Sequence, residues 1–144
     1  MSEKILGIIM GRRLRGGILY ALYFTSSRLI AAKTVNTTLW GFLWPIGDHI
    51  ALNKAKKRSE ELKKLSFESI LKADKKNFEI PYAEITKVEM KKARVLSVPE
   101  ISIFTHTQKY EFVIWEKKEF DAHESLVRSV LPDKLSISLK APLT

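Results

Sequence analysis

The stretch GILYALYFTSSRLIAAKT, Gly17 to Thr34, decides how the chain is read. Two runs rich in aromatic and β-branched residues, GILYALYFT and RLIAAKT, flank Ser26-Ser27, the composition of two strands joined by a tight turn. Working back, KILGIIM supplies an earlier strand. Between it and Gly17 lies GRRLRG, where Gly11, Gly16 and Gly17 permit positive φ and leave Arg12, Arg13 and Arg15 at the tip of a reversing loop.

Working forward, the pattern changes. TLWGFLWPIG, Thr38 to Gly47, concentrates Trp40, Phe42 and Trp44, and a lysine-dense segment follows at once. Asp48 is placed to cap a helix reaching about Leu65, with Leu52, Ala55, Ser59 and Leu62 on a narrow apolar stripe. Lys54, Lys56, Lys57, Arg58, Lys63 and Lys64 cover much of the rest, so the helix is expected to rest lightly on the domain. Ser66 caps a second helix over FESILKADKK, and Asn77 stops it. Strand signals resume in FEIPY, where Pro81 implies an edge or a strand end. EITKVEMKK follows with Ile85 out of phase, the sign of a bulge. EISIFT and YEFVIWE form a hairpin around His106 to Lys109, with Tyr110, Phe112 and Ile114 on one face. A last helix carries Leu126, Val127, Val130 and Leu131, opens on an Asp121/Glu124 capping pair and ends at Pro132.

These elements predict a mainly β, α+β domain. Seven antiparallel strands form a partly open barrel of two sheets, plugged by the C-terminal helix and carrying one helical insertion. Residues 1–132 make the domain, the insertion occupies about 45–77, and 133–144 form a C-terminal tail. At 144 residues the chain suits a single domain with a real core. No apolar run approaches the roughly 20 residues that span a bilayer, and the N-terminus lacks a signal-peptide pattern. The absence of cysteine removes disulfides and thiolate chemistry and suits a reducing compartment, so a cytoplasmic protein is expected, peripheral to a membrane at most.

The chain resembles the GRAM and bacterial PH-type domains of the PH-like superfamily. LYFTSSRLIAA, Leu22 to Ala32, is similar to their second and third strands; IPYAEITKVEMKK, Ile80 to Lys92, to their proline-aromatic-acid-isoleucine segment; and YEFVIWEKKEFDAHESLVRSVLP, Tyr110 to Pro132, to their last strand and helix. The 43-residue stretch from Val35 to Asn77 replaces a short connection in those families. The resemblance implies a PH-like fold that binds lipids, peptides or partner domains without catalysis, and it does not choose among them. Those PH domains that bind phosphoinositides carry basic residues at the end of the first strand and in the following loop, a pattern that Lys4 with Arg13-Leu14-Arg15 would meet, which directs attention to Arg12, Arg13 and Arg15.

Charge adds a direction. The formal net charge is +9, and residues 1–34 carry six Lys/Arg against one Glu while residues 35–77 carry nine against five acids, so the whole excess lies in the first 77 residues. Such asymmetry steers a protein toward anionic lipid headgroups or an acidic partner, or serves as a solvated face that maintains solubility. Guanidinium forks at Arg12, Arg13 and Arg15 suit bidentate phosphate contacts. Trp40, Phe42, Trp44, Lys54, Lys57 and Arg58 form the alternative, an interface for a protein partner or for a homo-oligomer. Nucleic acid ranks third, for no recognised helix-turn-helix or RNA-binding signature accompanies the lysines. His49, His106 and His123 are widely spaced, and no phosphate-loop, dinucleotide or serine-hydrolase motif occurs, so neither an enzyme nor a cofactor or metal site is expected.

Overall fold

A computed structural model of the chain describes residues 3–14, 17–36, 46–93, 98–115 and 117–139. The opening strands are β1 (Ile5–Arg13), β2 (Ile18–Thr25) and β3 (Arg28–Asn36), paired antiparallel in sequence order. Gly17, with φ 67°, supplies the left-handed residue that leads the chain into β2. Gly11 is not a turn residue. It lies within β1, where an added Cβ would come within 2.9 Å of Phe112 Cβ.

The insertion folds into α1 (Ile46–Lys63) and α2 (Phe67–Lys72). Ser66 caps α2 as its spacing suggests, its Oγ accepting from Ser69 N at 3.1 Å. Asn77 closes the excursion: its Nδ2 donates to Ile70 O at 2.7 Å and its Oδ1 accepts from Lys33 N at 2.7 Å, fixing the end of the insertion to β3. There follow β4 (Phe78–Pro81), β5 (Ile85–Lys92), β6 (Glu100–Thr105), β7 (Lys109–Ile114), α3 (Phe120–Val130) and β8 (Leu135–Leu139). Pro81 ends β4, and β4 is an edge strand, as the proline requires. The register of β5 shifts between Ile85 and Lys87, which lets Ile85, Val88 and Met90 all reach the core.

The chain is mainly β, with one open eight-stranded sheet in the order β4-β3-β2-β1-β7-β6-β5-β8. Two features depart from the seven-strand antiparallel expectation. Residues 133–144, expected as a tail, contribute β8, and β8 pairs with β5 in parallel. LSISL is a period-two pattern, and its Leu135 and Ile137 pack against the main core. The capping pair at α3 is also absent. A 3-10 turn over Lys117–Glu119 leads into the helix, no side chain caps it, and Glu124 instead meets Arg128 at 3.0 Å.

Two hydrophobic clusters lie on the two faces of the sheet. The larger takes Ile9, Leu22, Phe24, Leu29, Val88, Ile101 and Phe112 from the inner face, closed by Phe120, Val127 and Leu131 at α3. The sheet curls around it: Phe78 of β4 stacks on Tyr110 of β7 at 5.0 Å, although β3, β2 and β1 lie between those strands in the sheet. The second cluster is on the outside. Met10, Leu19, Ala21, Tyr23, Ile30 and Ala32 meet Ala55, Leu62 and Ile70 of the insertion. Every residue of β2 is therefore buried.

Candidate functional site

Because β1 runs through Arg13, two of the three loop arginines are strand residues. Arg12 pairs with Leu19 and Val113, and Arg13 with Phe112. Alternation sends neighbours to opposite faces, so Arg12 lies on the side of Met10 in the outer cluster, whereas Arg13 points to the inner side. The Arg13 guanidinium carbon sits 5.5 Å from the Tyr110 ring centroid and 5.8 Å from that of Phe78. Tyr20 meets Phe78 edge-on at 5.6 Å and donates from its hydroxyl to Lys76 O at 3.1 Å. Burial pushes the Tyr20 phenol up, and the Arg13 charge opposes this without cancelling it. Arg13, Leu14, Lys109 and Glu111 line an open pocket of about 580 Å³, in which Lys109 Nζ approaches Glu111 Oε2 to 3.4 Å.

The expectation of one arginine cluster at a loop tip is thus corrected. Arg12 and Arg13 are separated by the thickness of the sheet, and Arg15 lies outside the described residues. The aromatic stack under Arg13 was legible only as two separate alternating faces. What the sequence did not contain was the curl that brings β4 over β7.

Arg28, at the start of β3, is structural. Its Nε contacts Glu3 Oε2 at 3.1 Å, its other nitrogens reach Glu79 and, at 3.6 Å, Glu68, and its guanidinium lies 5.5 Å from the Phe67 ring centroid. With three carboxylates around it, this cation has no surplus charge to offer a ligand.

Among the described residues, the insertion carries a run of exposed basic side chains. Ala51, Ala55, Ser59 and Leu62 of α1 are at most 4 % exposed, so the helix packs much more closely than its narrow stripe suggested. Small side chains let its backbone approach the sheet, and Tyr23 donates from β2 to Ser59 O at 2.8 Å. Around that buried side the helix carries Lys54, Lys57 and Arg58, all exposed, with Lys56, Lys63 and Lys64 also at the surface. Arg58 meets Glu61 at 3.4 Å. Lys72, Lys75 and Lys76 extend the exposed cations beyond α2. Trp40, Phe42 and Trp44 lie outside the described residues.

His123 is buried on α3 and His106 is exposed in the β6–β7 turn. Among the described residues no group of three His, Cys, Asp or Glu side chains is placed to hold a metal ion, and no helix is long and apolar enough to cross a membrane. A second open pocket, about 270 Å³, is lined by Tyr82, Ala83 and residues 130–134. No protein-family model matches the chain, and no curated protein matches it.

Proposed function

We propose that this chain is a non-catalytic binding or adaptor module of PH-like architecture. In this reading it acts in the cytoplasm and presents the basic outside of its helical insertion to an anionic membrane surface, or to an acidic partner protein of similar charge. The observation that carries the reading is the segregation on α1. Its small and apolar residues are consumed by the sheet, while the side chains of Lys54, Lys57 and Arg58 are exposed close together on the same helix. The PH-like part is supported by the antiparallel opening strands, the position of β7 beside β1 and the helix that closes the inner core. Arg13 is a secondary contact, beside the open pocket that it lines with Leu14, Lys109 and Glu111.

A juxtamembrane cation contributes about 1 kcal/mol near an anionic leaflet. The chain is therefore expected to sediment with phosphatidylserine-containing vesicles and not with neutral phosphatidylcholine vesicles. Replacing Lys54, Lys57 and Arg58 together by Ala is expected to weaken that binding about a hundredfold. Equal binding to both vesicles, or binding to neither, removes the lipid form of the proposal. The acidic-partner form then stands or falls on a salt-sensitive copurification that the same triple variant abolishes.

A further inference from the structure

The two edges of the sheet are built differently. At one, β4 has four residues, includes Glu79 and ends at Pro81, features that discourage another strand from adding there. At the other, β8 has no proline, no glycine and no charge across Leu135–Leu139. Among the described residues it pairs with β5 alone.

The hydrogen-bonding direction of β8 follows from its first contact. Val88 N donates to Lys134 O at 2.9 Å, so the carbonyl of residue 134 faces β5. In a parallel ladder alternate residues face the same neighbour, which directs Ser136 and Ser138 to β5 and Leu135, Ile137 and Leu139 to the open edge. The sequence of that edge, LSISL, reads the same in both directions. An antiparallel copy centred on Ile137 would place Ile137 opposite Ile137 and Leu135 opposite Leu139, each as a hydrogen-bonded pair. Ser136 would lie opposite Ser138 as a close, non-hydrogen-bonded pair. Side-chain faces match as well: Leu135 and Ile137 are half-buried against the inner core, and Ser136 and Ser138 are exposed on the other side.

We infer that the β8 edge is a homodimer interface, on which a second copy of this chain adds antiparallel about a two-fold axis through Ile137. The surface is separate from the basic insertion, and the inference stands independently of the ligand proposed for it. A two-fold contact must be self-complementary, and a palindromic, uncharged edge satisfies that demand where the proline-ended β4 does not. Joining two such edges makes one continuous sheet and pairs the backbone groups of β8 that no described strand meets.

The register supplies the test. Ser136 and Ser138 are exposed and point away from the core, so S136K/S138K leaves the monomer intact but sets lysine against lysine on both sides of the axis. S136K/S138E sets opposite charges together in the same places. Sedimentation equilibrium across a concentration series, with thermal melts to verify folding, is expected to show a wild-type dimer. S136K/S138K should weaken it about tenfold or more, and S136K/S138E should restore it to within about threefold. A wild-type monomer throughout the series overturns the inference, whether water, the following residues or a foreign strand covers the edge. A dimer unaffected by S136K/S138K also overturns it and assigns association to another surface. S136K/S138E as weak as S136K/S138K overturns the antiparallel register on which it rests.

Discussion

Thr25 and Glu3 show how a turn is fixed by single atoms. Thr25 Oγ1 accepts from Ser27 N at 3.2 Å and Arg28 N at 3.0 Å, and the hydroxyl is in contact with Glu3, so the polar turn between β2 and β3 has few free backbone donors. Glu3 also accepts from Ser27 Oγ at 2.8 Å and from Arg28 Nε. Burial alone would raise its carboxyl, but hydrogen bonds from Thr25, Arg28 and Ser27 and the Arg28 charge together hold it below the ordinary value. A carboxylate whose folded-state pKa is depressed adds stability that is full above its unfolded value and is lost as pH falls through the folded value. Glu3→Gln is therefore expected to be less stable than wild type by about 1–2 kcal/mol at neutral pH, with the difference shrinking as the medium becomes acidic. Urea unfolding at a series of pH values measures this; a gap that stays constant into acid would show that the carboxylate charge contributes nothing. Which acids Arg28 meets was not readable in the sequence, because Glu3, Glu68 and Glu79 belong to three separate segments that only the fold brings to it.

At the scale of elements, α1 shows the limit of reading burial from hydrophobicity. Its buried side is Ala51, Ala55, Ser59 and Leu62, a weakly apolar set that predicts a loosely attached helix. Geometry reverses that expectation, since small residues permit close approach and leave Leu62 as a large, fully buried side chain filling the space against the outer cluster, with Leu52 half-buried against the same cluster. Leu62→Ala is accordingly expected to cost about 2–4 kcal/mol. The loss should appear first in α1, as faster amide exchange there than in β6 and β7. Uniform exchange across the chain would mean that the helix has no separate opening. The strand–turn–strand segment, the Ser66 cap, the β6–β7 hairpin and the Ile85 bulge were all legible because each is decided by neighbours in sequence. The β8 pairing was not recognised, although LSISL alternates, because a five-residue pattern after a terminal helix does not say which strand it will join. The split of Arg12 from Arg13 depended on one fact, that β1 extends to the second arginine before turning.

Across the whole molecule, β2 is the shared wall of two cores. Tyr20, Leu22 and Phe24 face the inner cluster while Leu19, Ala21 and Tyr23 face the insertion, so the near-continuous apolar run in GILYALYFT has a reason on each side. A solvated outer face would have alternated with polar residues. The insertion is thus part of the folded unit rather than an appendage, and its cationic surface is held on a helix anchored to the central strands. Replacing residues 37–76 by a short glycine-rich turn would keep Asn77 and the β3–β4 pairing but uncover Leu19, Ala21, Tyr23, Ile30 and Ala32 together. A contiguous apolar surface of that kind drives association. The shortened chain is expected to aggregate or bind a hydrophobic dye, and to melt well below the parent. A soluble monomer with the parental melting temperature would show that the outer cluster is dispensable and would detach the helices from the fold. Polar substitution of Leu19 and Tyr23 in the shortened chain distinguishes the causes. If exposed apolar area is responsible, solubility returns without the insertion; if the helices are needed to hold β2 and β3 in place, it does not.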